Sequence, residues 1–562
     1  MSQEGIKRAR GELLKDPGPD GLITRGFLRG SGMSAGAVGT GPVIGIANTW
    51  SELNPCNGGL RQLAEQVKKG VIAAGGLPLE FPTISIAEAF TRPSSMYLRN
   101  LLAMDTEEMI LAAPIDGVVL LGGCDKTIPA QLMGALSAGK PALALAAGPR
   151  PLSRWQGEPM TVEHLWPLID ARRSGELDDD GWAELEGCLS CGVGTCNVMG
   201  TAVTMAVIAE VLGMSLPGSA LLPASSAQRS AVAEETGRAI VARTRAGLAP
   251  DAVVTRASLA NAFRALCAVG GSTNAVLHLQ AISGRLRTPL SMDELRHLSD
   301  TTPFLADVRP SGRHFLHDLE IDGAVPALMH RLADLADLEA LAGDDRPWKE
   351  SVQAPPAAPR CLRSVEDPAG PAGPLALLSG SLAPSGAVLK RSAADPRLCR
   401  HTGRAVVFDG VDDLHARIDD PELAVDADSV LVLRGAGPVG GPGMPEVGHL
   451  PIPAKLRRRG VTDMVRVSDA RMSGTASGTV VLHVAPEAAA GGPLALVRDG
   501  DLIELDTEQN RIDLLVPPDE LARRAAGWVP VTVEARGYER LYRHHVQQAD
   551  LGCDFDFLRG PR

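Results

Sequence analysis

Between Val352 and Pro374 the chain reads VQAPPAAPRCLRSVEDPAGPAGP, and a run this dense in Pro, Gly and Ala cannot carry regular structure. Proline fixes φ and removes a backbone donor, so the run is a linker or a long surface loop. It separates residues 1–351 from residues 375–562. Before it, apolar strand-like runs alternate with helical periods. The turn 114–117, PIDG, leads into the apolar run Val118–Leu121, and a helical period follows over Pro129–Ala138. Such alternation predicts α/β layers. After it come short β-rich runs parted by Gly and Asp turns: Leu375–Leu378, Ala405–Phe408, Ser429–Leu433 and Thr479–Val484, with a hairpin expected over 499–516. The expected fold class is α/β: a layered N-terminal α/β domain over 1–351 and a smaller β-rich C-terminal domain over 375–562, joined by the 352–374 linker.

With aromatic residues at only 3%, the core must be built from Ala, Val and Leu. Lys and Arg number 55 against 67 Asp and Glu, a net charge of −12 that argues against a nucleic-acid partner. No apolar run is long enough to span a bilayer, the best candidates being interrupted by Asp116 and Glu210. The stretch MSQEGIKRARGELLKD lacks the apolar segment of a secretory signal. A cytoplasmic protein is expected, its nine cysteines serving as reduced thiols or metal ligands rather than disulfides.

Three of those cysteines have unusual surroundings. Cys56 lies in a turn, NPCNGG, whose glycines let a backbone approach a ligand closely. Cys124 follows the run Val118–Leu121 through Gly122-Gly123, a strand end opening into a helix. Cys196 stands just ahead of a helix expected through Met205. Thiols at helix entrances ionise easily, as metal binding requires. Cys267 reads as an ordinary buried thiol, and Cys361, Cys399 and Cys553 lack partners at ligand spacing. Cys188 and Cys191 form a C-x2-C pair, but no second pair completes a zinc site. On the residues alone, a cluster role and a plain structural role for Cys56, Cys124 and Cys196 both stay open.

Six blocks resemble the family of dihydroxy-acid, phosphogluconate and sugar-acid dehydratases, and they run in the family's order. They are NTWSELNPCN from Asn48, GGCDKTIPAQLMG from Gly122, CNVMGTA from Cys196, GGSTNA from Gly270, GMPE from Gly443 and SDARMSGT from Ser468. The resemblance implies an iron–sulfur cluster on Cys56, Cys124 and Cys196, [2Fe–2S] with [4Fe–4S] as the alternative, leaving one iron open. Cys191 is a rival for the third place. It also implies Mg²⁺ or Mn²⁺ held by Glu88, Asp125, Glu446 and a carbamylated Lys126. Ser473 and Lys126 match the family's catalytic positions, with Ser473 as base. The implied reaction removes water from a 2,3-dihydroxy carboxylate, and the implied assembly is a homodimer or homotetramer.

RPSSMYLRNLLAMD after Glu88, and the C-terminal GYERLYRHHVQQADLGCDFDFL, resemble the sugar-acid branch, notably the L-arabinonate dehydratases. The expected partner is therefore a small polyhydroxy acid, with no nucleic acid and no membrane. The alternatives are dehydration of dihydroxy acids in branched-chain amino-acid synthesis and, in another class, an iron–sulfur electron carrier or redox sensor. Electron transfer would need none of Glu88, Asp125, Lys126, Glu446 and Ser473. The chain departs from the family at Gly59, Ser381 and Gly441, which bears on substrate fit. His278, Ser311 and Arg313 are candidates to bind the hydroxyls of a sugar-acid tail.

Overall fold

The computed structural model describes residues 11–39, 41–530 and 533–560. The first ten residues of the stretch read for a secretory signal lie outside the described residues. The N-terminal half is built on four parallel strands, β1 Val43–Asn48, β2 Leu77–Pro82, β3 Gly117–Gly122 and β4 Ala142–Ala146, in the order β2-β1-β3-β4. β1, β3 and β4 are buried at every position, which is why they read as unbroken apolar runs rather than alternating ones. Side chains of one parity, including Ile44, Ile46, Val119 and Leu121, pack on the helices Leu60–Ala73 and Ala227–Ala246. The other parity, including Val43, Ala47, Val118 and Leu120, meets the larger core formed with the helices Thr127–Ala138, Thr201–Val211, Arg256–Ala268 and Asn274–Arg285. A hairpin of β5 Ser153–Trp155 and β6 Glu158–Met160 follows the sheet.

The proline-rich stretch contains regular structure after all, which corrects the expectation. β7 Pro303–Phe304 pairs with β8 Gly370–Ala372 inside it. It is also anchored: the Asp322 carboxylate accepts the backbone N–H groups of Arg360, Cys361 and Leu362 at 2.7–2.8 Å. Cys361 and Leu362 are fully buried there.

The C-terminal half carries an eight-stranded mixed sheet of β9 Leu375–Leu378, β10 Gly386–Lys390, β11 Arg400–Asp409, β12 Val430–Arg434, β13 Arg466–Ser468, β14 Val480–Ala485, β15 Leu502–Asp506 and β16 Arg511–Leu514. Its order is β16-β15-β11-β12-β13-β14-β10-β9, with β11 to β14 parallel. The runs read as strands coincide with β9, β11, β12 and β14, and the 499–516 hairpin with β15 and β16. The two halves share a seam. Alternate residues of β9 and β10, Leu375, Leu377 and Val388, join the N-terminal core, while Ala376, Leu378, Ala387 and Leu389 enter the C-terminal one. Among the described residues no helix is long and apolar enough to cross a membrane.

Candidate active site

The parallel strands of the N-terminal sheet end on one edge, where α/β folds collect functional groups. Cys56 sits there in the short turn Pro55–Asn57, and Cys124 two residues past β3. The Cys196 loop lies beside the end of β4, with Thr195 N–H on Gly148 O at 2.8 Å and Arg150 N–H on Thr195 O at 3.0 Å. Asn57 joins the first two loops: its Nδ2 donates to Thr49 O at 2.9 Å and its Oδ1 accepts the Cys124 N–H at 3.1 Å. Only glycine fits at 123, because a Cβ there would stand 2.7 Å from Asn57 Oδ1 and 2.9 Å from Cys56 O. Arg150 joins the third loop, reaching Cys56 Sγ at 3.6 Å, Gly194 O at 2.8 Å and Thr195 O at 3.1 Å.

These contacts split the thiols electrostatically. A hydrogen bond from the Cys124 thiol, helped by Arg150, lowers Cys56 despite its burial. The same bond and burial raise Cys124 well above the usual thiol range, and burial with the nearby Cys56 pushes Cys196 up to about 12. Cys56 is thus the thiol poised to ionise, the form in which sulfur ligates a metal. Three convergent sulfurs fit an iron–sulfur cluster by donor chemistry. Cys191, the rival third thiol, is exposed.

Asp125 and Lys126 follow Cys124 directly, Lys126 capping the helix Thr127–Ala138. Glu88 arrives from the loop beyond β2, Glu446 from the loop beyond β12 and Arg471 from the loop beyond β13. Ligand oxygens of Glu88, Asp125 and Glu446 lie within 4.8 Å of one another, a set that fits a hard divalent ion. The fully buried Lys126 ammonium contacts Asp125 and stands 3.6 Å from Glu88 Oε2 and 3.5 Å from Glu446 Oε1. Arg471 pairs with Glu446 at 2.8 Å and approaches Glu88 at 3.8 Å. Burial pushes the Glu88 carboxyl up, but Lys126 and Arg471 outweigh it and hold Glu88 at about 2. Burial and the neighbouring Glu88 raise Glu446. Burial and Arg471 press Lys126 down, yet the three carboxylates prevail and raise it.

Ser473 lies in the loop between β13 and β14. Its Oγ accepts the Thr475 N–H at 3.3 Å and meets Thr475 Oγ1 at 2.8 Å. Thr475 Oγ1 in turn accepts the Trp166 indole N–H at 2.8 Å, so its own proton is free to point at Ser473. Gly474 presses on the start of the helix Thr201–Val211, where a Cβ would come within 2.6 Å of the Thr201 nitrogen. Asn274 links this loop to the acidic group, its Nδ2 donating to Met472 O at 3.2 Å and to Glu446 Oε1 at 3.1 Å.

Comparison with known proteins gives this arrangement its family. The dihydroxy-acid/6-phosphogluconate dehydratase N-terminal model matches residues 41–350, and its C-terminal counterpart matches residues 360–553. The chain belongs to that family. It is 47% identical to a 6-deoxy-6-sulfo-D-gluconate dehydratase of Pseudomonas putida, over 92% of this chain and 90% of that protein. It is also 47% identical to an L-arabonate dehydratase of Azospirillum brasilense, over 97% of this chain and 95% of that protein. A dihydroxy-acid dehydratase of Methanoregula boonei is 37% identical, over 91% of this chain and 93% of that protein.

Within this dehydratase several residues emerge that the sequence reading did not assign. Arg471 and Asn274 stand inside quoted blocks, so their place was signalled, though not their role. Asn57 also stands inside a quoted block, whereas Arg150 and Trp166 carried no such signal as ligand-supporting groups. The structure also shows what the other candidate residues touch. Arg313 is largely solvent-exposed and committed to Asp307, at 2.9 Å from Nε and 2.6 Å from Nη2. His278 is fully buried, its Nδ1 at 3.3 Å from Arg99 Nη1, and burial with the surrounding cations holds it far below the usual imidazole range. Ser311 is half-buried, with its hydroxyl on Gly270 O at 3.4 Å. Ser381, expected to bear on substrate fit, hydrogen-bonds Asp513 and Leu514 of β16.

Proposed function

We propose that this chain is a sugar-acid dehydratase, converting an aldonate such as L-arabinonate to its 2-keto-3-deoxy acid. The observation that carries the reading is a continuity of groups. The convergent thiols adjoin the half-buried Glu88, Asp125 and Glu446 and the buried Lys126 and Arg471, and Asn274 ties Glu446 to the loop of Ser473. The substrate class is supported by 47% identity to proteins named for sugar acids, against 37% to one named for dihydroxy acids.

Cys56, Cys124 and Cys196 would hold the iron–sulfur cluster, and Glu88, Asp125, Glu446 and a carbamylated Lys126 would hold Mg²⁺ or Mn²⁺, Lewis acids toward a leaving hydroxyl and toward substrate oxygens. Three carboxylates here face two cations, so the protein supplies a net negative charge that attracts a cation. Carbamylation of Lys126 would replace one of those cations with a further carboxylate-like oxygen donor. Residues 1–351 would form one domain and 375–562 the other, each supplying part of this group.

Ser473 Oγ would take the proton from C2. A serine hydroxyl is a feeble base unless its ionised form is favoured. The Thr475 N–H donates to it, and the Thr475 hydroxyl, which accepts from Trp166, can donate to it once Ser473 is ionised. The N-terminus of the helix Thr201–Val211 lies against the adjacent Gly474, and such a terminus favours a nearby negative charge by about 0.3–1 kcal/mol. Trp166 orients Thr475 and thereby the donor pair.

The test is 2-keto acid formation across a panel of C5 and C6 aldonates and 2,3-dihydroxyisovalerate. The reading requires turnover of at least one aldonate at a higher kcat/KM than the branched acid. Faster turnover of 2,3-dihydroxyisovalerate than of every aldonate would overturn the substrate class while leaving the family intact.

A further inference from the structure

Glu163, Arg309 and Lys390 form a polar group that the chemistry above does not use. Each has a buried atom with no hydrogen-bond partner among the described residues: Glu163 Oε2, Arg309 Nε and Lys390 Nζ. Lys390 ends β10 and is 1% exposed. Along β10, Ala387 and Leu389 point into the C-terminal core while Val388 points into the N-terminal one. By that alternation Lys390 projects into the seam between the halves. On the same seam Glu163 Oε1 accepts from Arg309 Nη1 at 2.5 Å, and Ser392, two residues past Lys390, donates to Ser311, two residues past Arg309, at 3.3 Å.

Three contacts tie the segments that carry the trio to the reacting groups. Trp166, in the helix that follows Glu163, donates to the Thr475 hydroxyl that contacts Ser473. The Arg309 carbonyl accepts the N–H of Met199, in the Cys196 block, at 2.9 Å. The carbonyl of Ala393, just past Lys390, accepts the Gly478 N–H at 2.8 Å from the loop that carries Ser473. A buried donor or acceptor left unpaired costs about 1–3 kcal/mol, and a charged one more. Three such atoms, on segments tied to the reaction centre, each lack a partner that a ligand could supply.

We propose that Glu163, Arg309 and Lys390 bind the hydroxylated tail of the substrate, the carbons beyond the two that lose water. This rests on the sugar-acid reading and names the subsite that gives it its selectivity. The set is mixed. A hydroxyl can donate to Glu163 Oε2 and accept from Lys390 Nζ or Arg309 Nε, satisfying both sides at once. A tail ending in phosphate or sulfonate would meet the two cations but also the Glu163 carboxylate, so a neutral polyol tail fits best. A branched alkyl tail would leave all three unpaired, the situation in which a polar site discriminates most strongly.

The experiment compares Lys390→Met and Glu163→Gln with the wild-type holoenzyme on two acids. L-Arabinonate has the tail; glycerate has the same reacting carbons and none. Turnover and calorimetric binding are measured for both. For L-arabinonate, kcat/KM and affinity should each fall about 10- to 100-fold in either variant, from the loss of one or two polar contacts. The loss should be specific to that acid, so the ratio of the two acids collapses. Equal losses on both acids, or no loss on either, overturn the subsite. Glu163→Gln is nearly isosteric and carries the test if the Lys390 variant fails to fold. Should wild type turn over no aldonate, the sugar-acid reading fails, and binding alone decides the subsite. It then stands if wild type prefers L-arabinonate to glycerate and the variants erase that preference, and falls otherwise.

Discussion

Lys126 Nζ lies 3.5 Å from Glu446 Oε1, a contact that crosses from the N-terminal half of the chain to the C-terminal half. The acidic group is therefore complete only when the halves are docked. Lys126→Ala should abolish turnover, by at least about 10³-fold if metal binding contributes several kcal/mol to the barrier. Visible absorption from the cluster should survive, because the thiols lie outside the substitution. EDTA should reproduce the loss in wild type and Mg²⁺ or Mn²⁺ should reverse it. Retained turnover in Lys126→Ala would remove Lys126 from the metal site.

Replacing Cys56, Cys124 or Cys196 by Ser should each eliminate visible absorption and activity together. Cys188→Ser and Cys191→Ser should leave both in place, since Cys191 is exposed while Arg150 ties the Cys196 loop to Cys56. The spectrum decides between the two candidates for the third ligand. If Cys191→Ser bleaches the protein and Cys196→Ser does not, the third ligand is Cys191.

Much of this group was legible in the chain because α/β folds put function where strands end, and glycine-rich strand ends such as Gly122-Gly123 are visible locally. What escaped was long-range. Arg150 follows Gly-Pro in a loop with no periodic signal, and its role depends on carbonyls 44 and 45 residues away. Lys390 reads as a strand-end lysine, ordinarily a surface residue, and is buried only because the N-terminal half covers that face of β10. The composition of 352–374 argued against any regular structure there, yet the strand Gly370–Ala372 lies within it. Nor could composition reveal that Asp322 anchors three backbone N–H groups of that stretch.

Ser473→Ala should reduce kcat by about 10²–10⁴-fold, the usual contribution of a positioned base, with KM little changed. Trp166→Phe should cost less, about 2- to 10-fold, the worth of one hydrogen bond. Trp166→Phe should also move the ascending limb of the pH–rate profile to higher pH, because Thr475 would no longer be held as a donor to the ionised Ser473. A purely structural role for Trp166 would lower kcat without displacing that limb.

The buried Lys390 makes a prediction independent of catalysis. Burial carries its pKa down from 10.5 to about 7, with Glu163 opposing the shift. Between about pH 7 and 10.5 the unfolded chain holds this proton and the folded one does not, so stability rises with pH across that window. Below pH 7 the folded protein carries the buried ammonium and its full desolvation cost. Lys390→Met removes the group, so the variant should be more stable than wild type at pH 6, and its advantage should shrink steadily toward pH 10. Melting temperatures of the two proteins in low-salt buffers from pH 6 to pH 10 measure this directly. A difference that stays constant with pH would mean that Lys390 keeps its proton in the folded protein, paired with Glu163 closely enough to offset its burial.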